Sequence, residues 1–168
     1  MSKYKIVFSD YYYADLRAEM EEFRALGPDV EIVDLAKAYP GGVKDPRALI
    51  EFARDADALV VQFAKIDREF IGALERCKVI ARYAIGVDTI DVEAARERDI
   101  RVANVPDYRV EEVADTAAAH ILNAVRKLTV TRDMLFQNDF EMNRAGTIFR
   151  IEEATLALLG FGNVARNL

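Results

Sequence analysis

The chain has 168 residues and a formal charge of −6, from 23 basic and 29 acidic side chains, with one cysteine and one histidine. Its 52% hydrophobic and 31% charged residues, against only 8 Gly and 4 Pro, can bury a core, which excludes disordered and low-complexity classes. A disulfide framework or a Cys/His metal centre is excluded by residue counts. The acidic balance argues against nucleic acid, and no apolar run approaches the ~20 residues of a membrane span. The short apolar run after Met1 is too brief for a signal peptide, so a cytoplasmic setting is expected.

Short β-rich runs alternate regularly with helical patterns. Ile6-Val7-Phe8 reads as a buried strand, followed by a helix over about 14–26 with Leu16, Met20 and Phe23 on one face, stopped by Gly27-Pro28. A strand over 31–35 and a Pro40-Gly41-Gly42 loop come next. Asp45-Pro46 has the form of a helix cap and first-turn proline, with Leu49, Ile50, Phe52 and Ala53 as the buried stripe. A third strand is expected over 58–62 and a short helix capped by Asp67. A fourth strand over 79–83, a short helix over 91–98 and a fifth strand over 101–105 complete the series. Strands separated by helices predict a parallel sheet covered on both faces, because parallel neighbours need crossover connections. The fold class is therefore α/β, with a flavodoxin-like layout.

Pro106 ends that rhythm, and a long helix is expected from about Tyr108. Its apolar positions Val110, Val113, Ala114, Ala117, Ala118, Ile121, Leu122 and Val125 keep helical spacing for four turns. A polar stretch over 129–150 follows, and then an apolar run over 155–159, read as a buried strand. Gly160-Phe161-Gly162-Asn163-Val164-Ala165 reads as a tight turn into a helix. A strand, turn and helix start at this point are expected to open a further domain that continues past Leu168, making the chain a truncated one.

The pattern Gly-x-Gly-x-x-Ala after a strand is the dinucleotide fingerprint in its alanine-ending form. Its first glycine makes the turn, its second admits the pyrophosphate, and its third position must be small for helix packing. By itself it is weak, and an ordinary Gly-rich turn explains it as well. A second constellation is Arg82-Tyr-Ala-Ile85-Gly86-Val87-Asp88-Thr-Ile90-Asp91, at the carboxyl end of the fourth strand, where open α/β sheets bind ligands. Arg82 could bond a carboxylate in a fork, although spacing alone favours its pairing with a nearby acid. Asp88 and Asp91 read as turn and cap residues, Cys77 as a core-edge residue, and Tyr11-Tyr12-Tyr13 as packing or surface residues that could also line a substrate mouth.

Arg82 to Asp91, Asn104-Val105-Pro106-Asp107, Glu111-Glu112-Val113-Ala114-Asp115, His120 to Arg126 and Leu159 to Ala165 run in one order. In that order they resemble the D-isomer-specific 2-hydroxyacid dehydrogenases, in particular the branch of the C-terminal-binding proteins and phosphoglycerate dehydrogenase-like enzymes. The resemblance implies a flavodoxin-like substrate domain over 1–105, an interdomain helix over 106–128, a linker over 129–154 and the incomplete start of a Rossmann NAD-binding domain over 155–168. It implies that backbone amides of Ile85, Gly86 and Val87 hold the substrate carboxylate, and that Arg82 matches an arginine binding acidic groups in some members. It places Val113 against the cofactor, and Gly160, Phe161, Gly162, Asn163 and Val164 at the pyrophosphate of NAD or NADP. Ala84 and Thr89 depart from the family's usual glycine and asparagine.

The resemblance further implies an oxidoreductase moving hydride between NAD(H) and a small 2-hydroxy or 2-oxo acid, and a homodimer at full length. The family's catalytic arginine, acid and histidine match no residue here; His120 sits on the long helix and reads as structural. On that ground the chain by itself is expected to be inactive and to bind NAD poorly. Two other readings compete: a corepressor-like peptide-binding module of the same fold, and an inactive vestigial fragment. A phospho-acceptor receiver is rejected, because Asp10 is single, the third strand ends in Gln62 and the fifth closes in Val105-Pro106. A flavodoxin proper is rejected as well, because Asp10-Tyr-Tyr-Tyr13 is not a phosphate loop.

Overall fold

A computed structural model describes residues 4–168, and the chain divides into two units, one up to Tyr108 and the other Arg109–Leu168. In the first, β1 (Tyr4–Phe8), β2 (Val30–Asp34), β3 (Ala58–Val61), β4 (Val79–Arg82) and β5 (Arg101–Ala103) form one sheet in the order β2-β1-β3-β4-β5. Every pairing is parallel, with Ile6 opposite both Ile32 and Ala58, and Val61 opposite Arg82. This is the flavodoxin-like order, whose direction of winding reverses between β1 and β3.

The helices of this unit are α1 (Arg17–Ala25), α2 (Leu35–Ala38), α3 (Pro46–Ala53), α4 (Arg68–Ala73) and α5 (Val92–Glu97). Only the β1-to-β2 connection runs against the others, so right-handed crossovers place α1 on one face and α3, α4 and α5 on the other. The core follows this division. Val7, Leu59, Val61 and Ile80 pack with Leu49, Phe70, Ile71, Ala94 and Ala95 from α3, α4 and α5. Ile6, Phe8 and Val60 point the opposite way, against Leu16, Met20 and Phe23. A fully buried Leu or Ile contributes about 1.5–3 kcal/mol, whereas an exposed pair such as Arg68–Glu97 is worth about 0–1 kcal/mol. Apolar layers, not ion pairs, hold this unit together.

The caps expected at Asp45, Asp67 and Asp91 are made. Their carboxylates accept from Arg47 N and Ala48 N (2.9 and 3.0 Å), Phe70 N (3.0 Å) and Ala94 N (2.8 Å). Each such cap contributes about 1 kcal/mol. Asp34 adds an unexpected one, accepting from Lys37 N at 3.0 Å to begin the four-residue α2 inside what reads from sequence as the end of a strand. α1 starts at Arg17, later than expected, because Leu16 turns inward to the core with no capping side chain. β5 ends at Ala103, because Asn104 and Val105 bond the loop after β4 in place of a strand partner.

The second unit holds α6 (Val110–Arg126), α7 (Leu128–Phe136), 3₁₀ turns at Met142–Ala145 and Ile151–Glu153, and α8 (Asn163–Asn167). Three expectations are corrected here. The polar stretch contains a helix: Lys127 takes a left-handed φ of 57° that ends α6, and Asn123 Oδ1 accepts from Thr129 N at 2.8 Å to start α7. The long helix begins at Val110 rather than Tyr108, after Arg109 at φ 56°. The apolar run 155–159 forms no strand and is exposed, because among the described residues no edge pairs with it. On α6 only Ala114 of the apolar stripe is fully buried, while Val113 and Leu122 are exposed.

Candidate functional site

At the β1/β3 reversal, where this topology offers its ligand crevice, the chain places a carboxylate of its own. Asp10 lies two residues beyond the end of β1 and is 1% exposed. It accepts from three consecutive amides of the loop after β3: Gln62 N at 3.2 Å, Phe63 N at 2.7 Å and Ala64 N at 3.2 Å. Ser9 Oγ donates to Asp10 Oδ1 at 2.6 Å. Neighbouring loops join this knot through Tyr12 N to Gln62 Oε1 (2.8 Å) and Val43 N to Ser9 O (2.8 Å). Gly42 makes the approach possible: its φ is +77°, and a Cβ there would collide with the Ser9 carbonyl and stand 2.7 Å from Asp10 Cα.

Next to the knot lies the loop after β4. Arg82 is 8% exposed, and its guanidinium is spent on the protein: Nε donates to Gln62 O (3.2 Å), and Nη1 to Gly86 O and Asp88 Oδ1 (both 2.8 Å). That guanidinium holds the Asp88 carboxyl below the usual aspartate range. Asn104 Nδ2 donates to Ile85 O at 2.6 Å, Val105 N to Ala84 O at 3.1 Å, and Ile90 N to Val87 O at 2.9 Å. The loop carbonyls are thus anchored from three sides. Among the described residues, by contrast, no protein acceptor takes the amides of Ile85, Gly86 or Val87, and the first two residues are exposed. Three consecutive unpaired donors on an anchored loop suit an oxyanion or carboxylate. Gly86 lies close to its surroundings, since a Cβ would stand 2.7 Å from Asp88 Oδ1. Thr89 Oγ1 is the buried side-chain polar atom that finds no partner among the described residues.

The tyrosines divide. Tyr11 and Tyr13 line a groove of about 830 Å3 with Arg17, Arg24, Asp34 and Lys37. Burial, together with a 2.9 Å bond to Asp34, pushes the Tyr11 phenol up to about 12. Tyr13 stacks edge-on against Tyr83, whose own pKa is raised by burial and by its 2.6 Å bond to Glu19. Tyr12 instead stands 76% exposed. Cys77 is a core-edge residue, its thiol pushed up to about 11 by burial, and His120 lies exposed on α6. In the second unit, Gly160 takes φ +97°, a Cβ at Gly162 would meet nothing within 4 Å, and α8 starts at Asn163 and packs on α6. Phe161 is exposed, with Arg166 over its ring at 6.0 Å.

The family model described as the D-isomer specific 2-hydroxyacid dehydrogenase catalytic domain matches residues 6–159. The chain belongs to this family. It is 31% identical over 147 residues to a glyoxylate reductase of Thermococcus litoralis, covering 83% of this chain and 43% of that one. To a D-3-phosphoglycerate dehydrogenase of Methanocaldococcus jannaschii it is 36% identical over 121 residues, covering 71% of this chain and 23% of the relative. It shares its fold with a D-lactate dehydrogenase of Aquifex aeolicus solved with NAD and lactic acid. That comparison has a TM-score of 0.76 at 22% identity, covering 96% of this chain and 46% of the other. The chain spans less than half the length of these curated relatives.

Within the D-isomer specific 2-hydroxyacid dehydrogenase family frame, Arg82, Ile85, Gly86 and Val87 come together on one loop. Gly160, Phe161, Gly162, Asn163 and Val164 form a separate turn in the second unit, which also contains Val113. Sequence reading missed Asp10, weighed there only as a phospho-acceptor, and missed Asn104 as an anchor of the loop, whereas the pairing of Arg82 with a nearby acid that spacing favours is made with Asp88. One signal was available for Asp10: an ionisable residue just after a buried strand at the ligand edge needs partners.

Proposed function

We propose that this chain supplies the substrate-carboxylate site of an oxidoreductase that moves hydride between NAD(H) or NADP(H) and a 2-hydroxy or 2-oxo acid. The observation that carries this reading is the set of unpaired amides at Ile85, Gly86 and Val87 on a loop whose carbonyls are all anchored. They orient the carboxylate, and Arg82 acts on it indirectly, by holding Gly86 O and Asp88 so that the amides face outward. With its guanidinium so engaged, Arg82 is a positioning residue here rather than a direct carboxylate fork.

For the dinucleotide, the left-handed Gly160 and the open space at Gly162 fit a turn that must bring backbone close to a pyrophosphate. Gly160, Phe161, Gly162, Asn163 and Val164 would hold that group, with Val113 at the cofactor. When bound, the nicotinamide supplies or accepts the hydride. The expected pairing of two copies at full length belongs to the same reading, as does the cytoplasmic setting. Among the described residues no helix is long and apolar enough to cross a membrane.

The test is an amide-resolved NMR titration of the 168-residue chain with oxamate, an unreactive mimic of a 2-oxo acid. Saturable shifts are expected at Ile85, Gly86 and Val87. Gly86→Ala, whose Cβ pushes Asp88 off Arg82, should weaken binding by about tenfold, roughly one charge-assisted hydrogen bond at its low end. Shifts confined to other loops, or equal binding by the variant, would sink the assignment.

A further inference from the structure

Three loops meet at the carboxyl edge of the sheet, and each contributes one exposed side chain to a single cluster. Tyr12 follows β1, Lys44 lies between α2 and α3, and Phe63 follows β3. The Tyr12 and Phe63 rings meet edge to face, with centroids 5.2 Å apart and 75° between planes. They remain 76% and 46% exposed, respectively. Lys44 Nζ stands 5.6 Å from both centroids. Among the described residues no carboxylate lies within ion-pair distance of this ammonium. The rings therefore fix its position through their π faces without neutralising it.

The base of the cluster is held firmly. Phe63 N is bound to Asp10, Tyr12 N to Gln62, and Val43 N, beside Lys44, to Ser9 O. The cluster also adjoins the carboxylate loop. Phe63 follows Gln62, whose carbonyl accepts Arg82 Nε, and Tyr83 N bonds Val61 O, so the loops after β3 and β4 leave the sheet side by side. A pair of exposed rings offers an apolar wall, and the free ammonium beside it offers a positive end. Together they match a short acid whose carbon chain lies on the rings and whose far end is anionic.

We propose that Tyr12, Phe63 and Lys44 form the subsite for the distal end of the substrate, and that this end carries a second acidic group, carboxylate or phosphate. The proposal rests on the carboxylate-loop reading above and deepens it: the loop takes the 2-oxo acid end, and Lys44 selects what lies opposite.

Two pairs of ligands that differ only at the far end test this on the whole chain by NMR titration: 2-oxoglutarate against 2-oxovalerate, and 3-phosphoglycerate against glycerate. A distal ion pair at an exposed site is expected to make the doubly acidic partner bind about threefold to fivefold tighter. Lys44→Gln should erase that advantage while leaving 2-oxovalerate binding unchanged, and Lys44→Glu should reverse it. The advantage should also vanish in ~1 M salt, where screening extends only about 3 Å. A gain in the phosphate pair alone, or the carboxylate pair alone, supports the subsite and identifies its anion. Equal binding within both pairs, with shifts retained at Ile85, Gly86 and Val87, overturns the subsite and leaves the loop reading intact. An equal loss of both partners in Lys44→Gln overturns it too, since that is a general effect. Absence of shifts at those three amides with every acid overturns the loop reading and the subsite together.

Discussion

The two units of this chain treat their apolar residues in opposite ways. Up to Tyr108, Val7, Leu49, Leu59, Val61, Ile66, Ile71 and Ile80 are fully buried between a five-stranded sheet and its helices. From Arg109 onward, α6 and α7 are well-formed helices, yet only Ala114 and Ala145 are buried among the described residues. Phe136 is 81% exposed and Phe140 71% exposed. A helix satisfies its backbone within itself, so local pattern suffices to form it. Burial is different, because it requires a second surface of matching shape. The first unit supplies that surface through parallel strands that bring residues about fifty positions apart into register.

The contrast is most sharply tested at Asp10. Replacing it by alanine leaves three amides at the centre of the first unit without their acceptor, and the Ser9 hydroxyl with only its longer 3.3 Å bond to Val60 O. Unsatisfied buried donors cost about 1–3 kcal/mol each, and water will reach some of them, so a total loss of about 3–5 kcal/mol is expected in urea denaturation. Asp10→Asn keeps one acceptor oxygen and should lose about half as much. Amide hydrogen exchange read residue by residue should place the loss in β1, β3 and their loops, with α6 little changed. Simultaneous loss of protection in both units would break the comparison, showing that they unfold as one.

A smaller effect is expected at the adjoining glycine pair. Gly41 and Gly42 both take left-handed φ, +79° and +77°, so alanine is strained at either position. They differ in space: a Cβ on Gly41 comes no closer than 4.0 Å to the Lys44 ammonium, whereas one on Gly42 meets Ser9 and Asp10 backbone. Gly41→Ala should cost about 1 kcal/mol and Gly42→Ala about 2–3 kcal/mol. Thermal unfolding of both variants gives the difference, and equal losses would mean that the knot yields readily.

What was legible in the sequence follows the same division. The strands of the first unit were visible because short apolar runs rich in β-branched residues, such as Leu59-Val60-Val61, favour the pleated, buried surface of a sheet. The caps at Asp45, Asp67 and Asp91 were visible because a cap bonds an amide only two or three residues ahead. Asp10 was not, because its partners lie 52 to 54 residues away and only the β1–β3 pairing brings them near. α7 was hidden by Thr129, Val130 and Thr131, weak helix formers, and by a break at Lys127 that carries neither Gly nor Pro. The run 155–159 looked like a strand because composition reports apolar preference, while strand formation depends on a paired edge. The carboxylate loop was legible as a motif, but not the engagement of Arg82 with Gly86 O and Gln62 O, which spacing cannot show.

The least expected effect concerns how firmly the edge of the first unit is closed at high pH. Tyr11 is raised to about 12, first by burial and then by its bond to the Asp34 carboxylate. The neutral phenol is thus favoured in the folded protein, while an unfolded tyrosine loses its proton near pH 10. Its contribution is complete below pH 10, and it declines as pH rises from 10 towards about 12, because the unfolded state releases its proton first. Urea denaturation of Tyr11→Phe should therefore show a shallower fall in stability across that window than the native chain, with no pH-dependent difference near pH 7. The phenol-to-phenolate absorbance change should lose one late-titrating tyrosine in the variant, while Tyr83, also raised by burial, titrates late in both proteins. Identical slopes in the two proteins would mean that Asp34 turns to solvent before Tyr11 ionises, and that this corner of the first unit opens ahead of its buried layers.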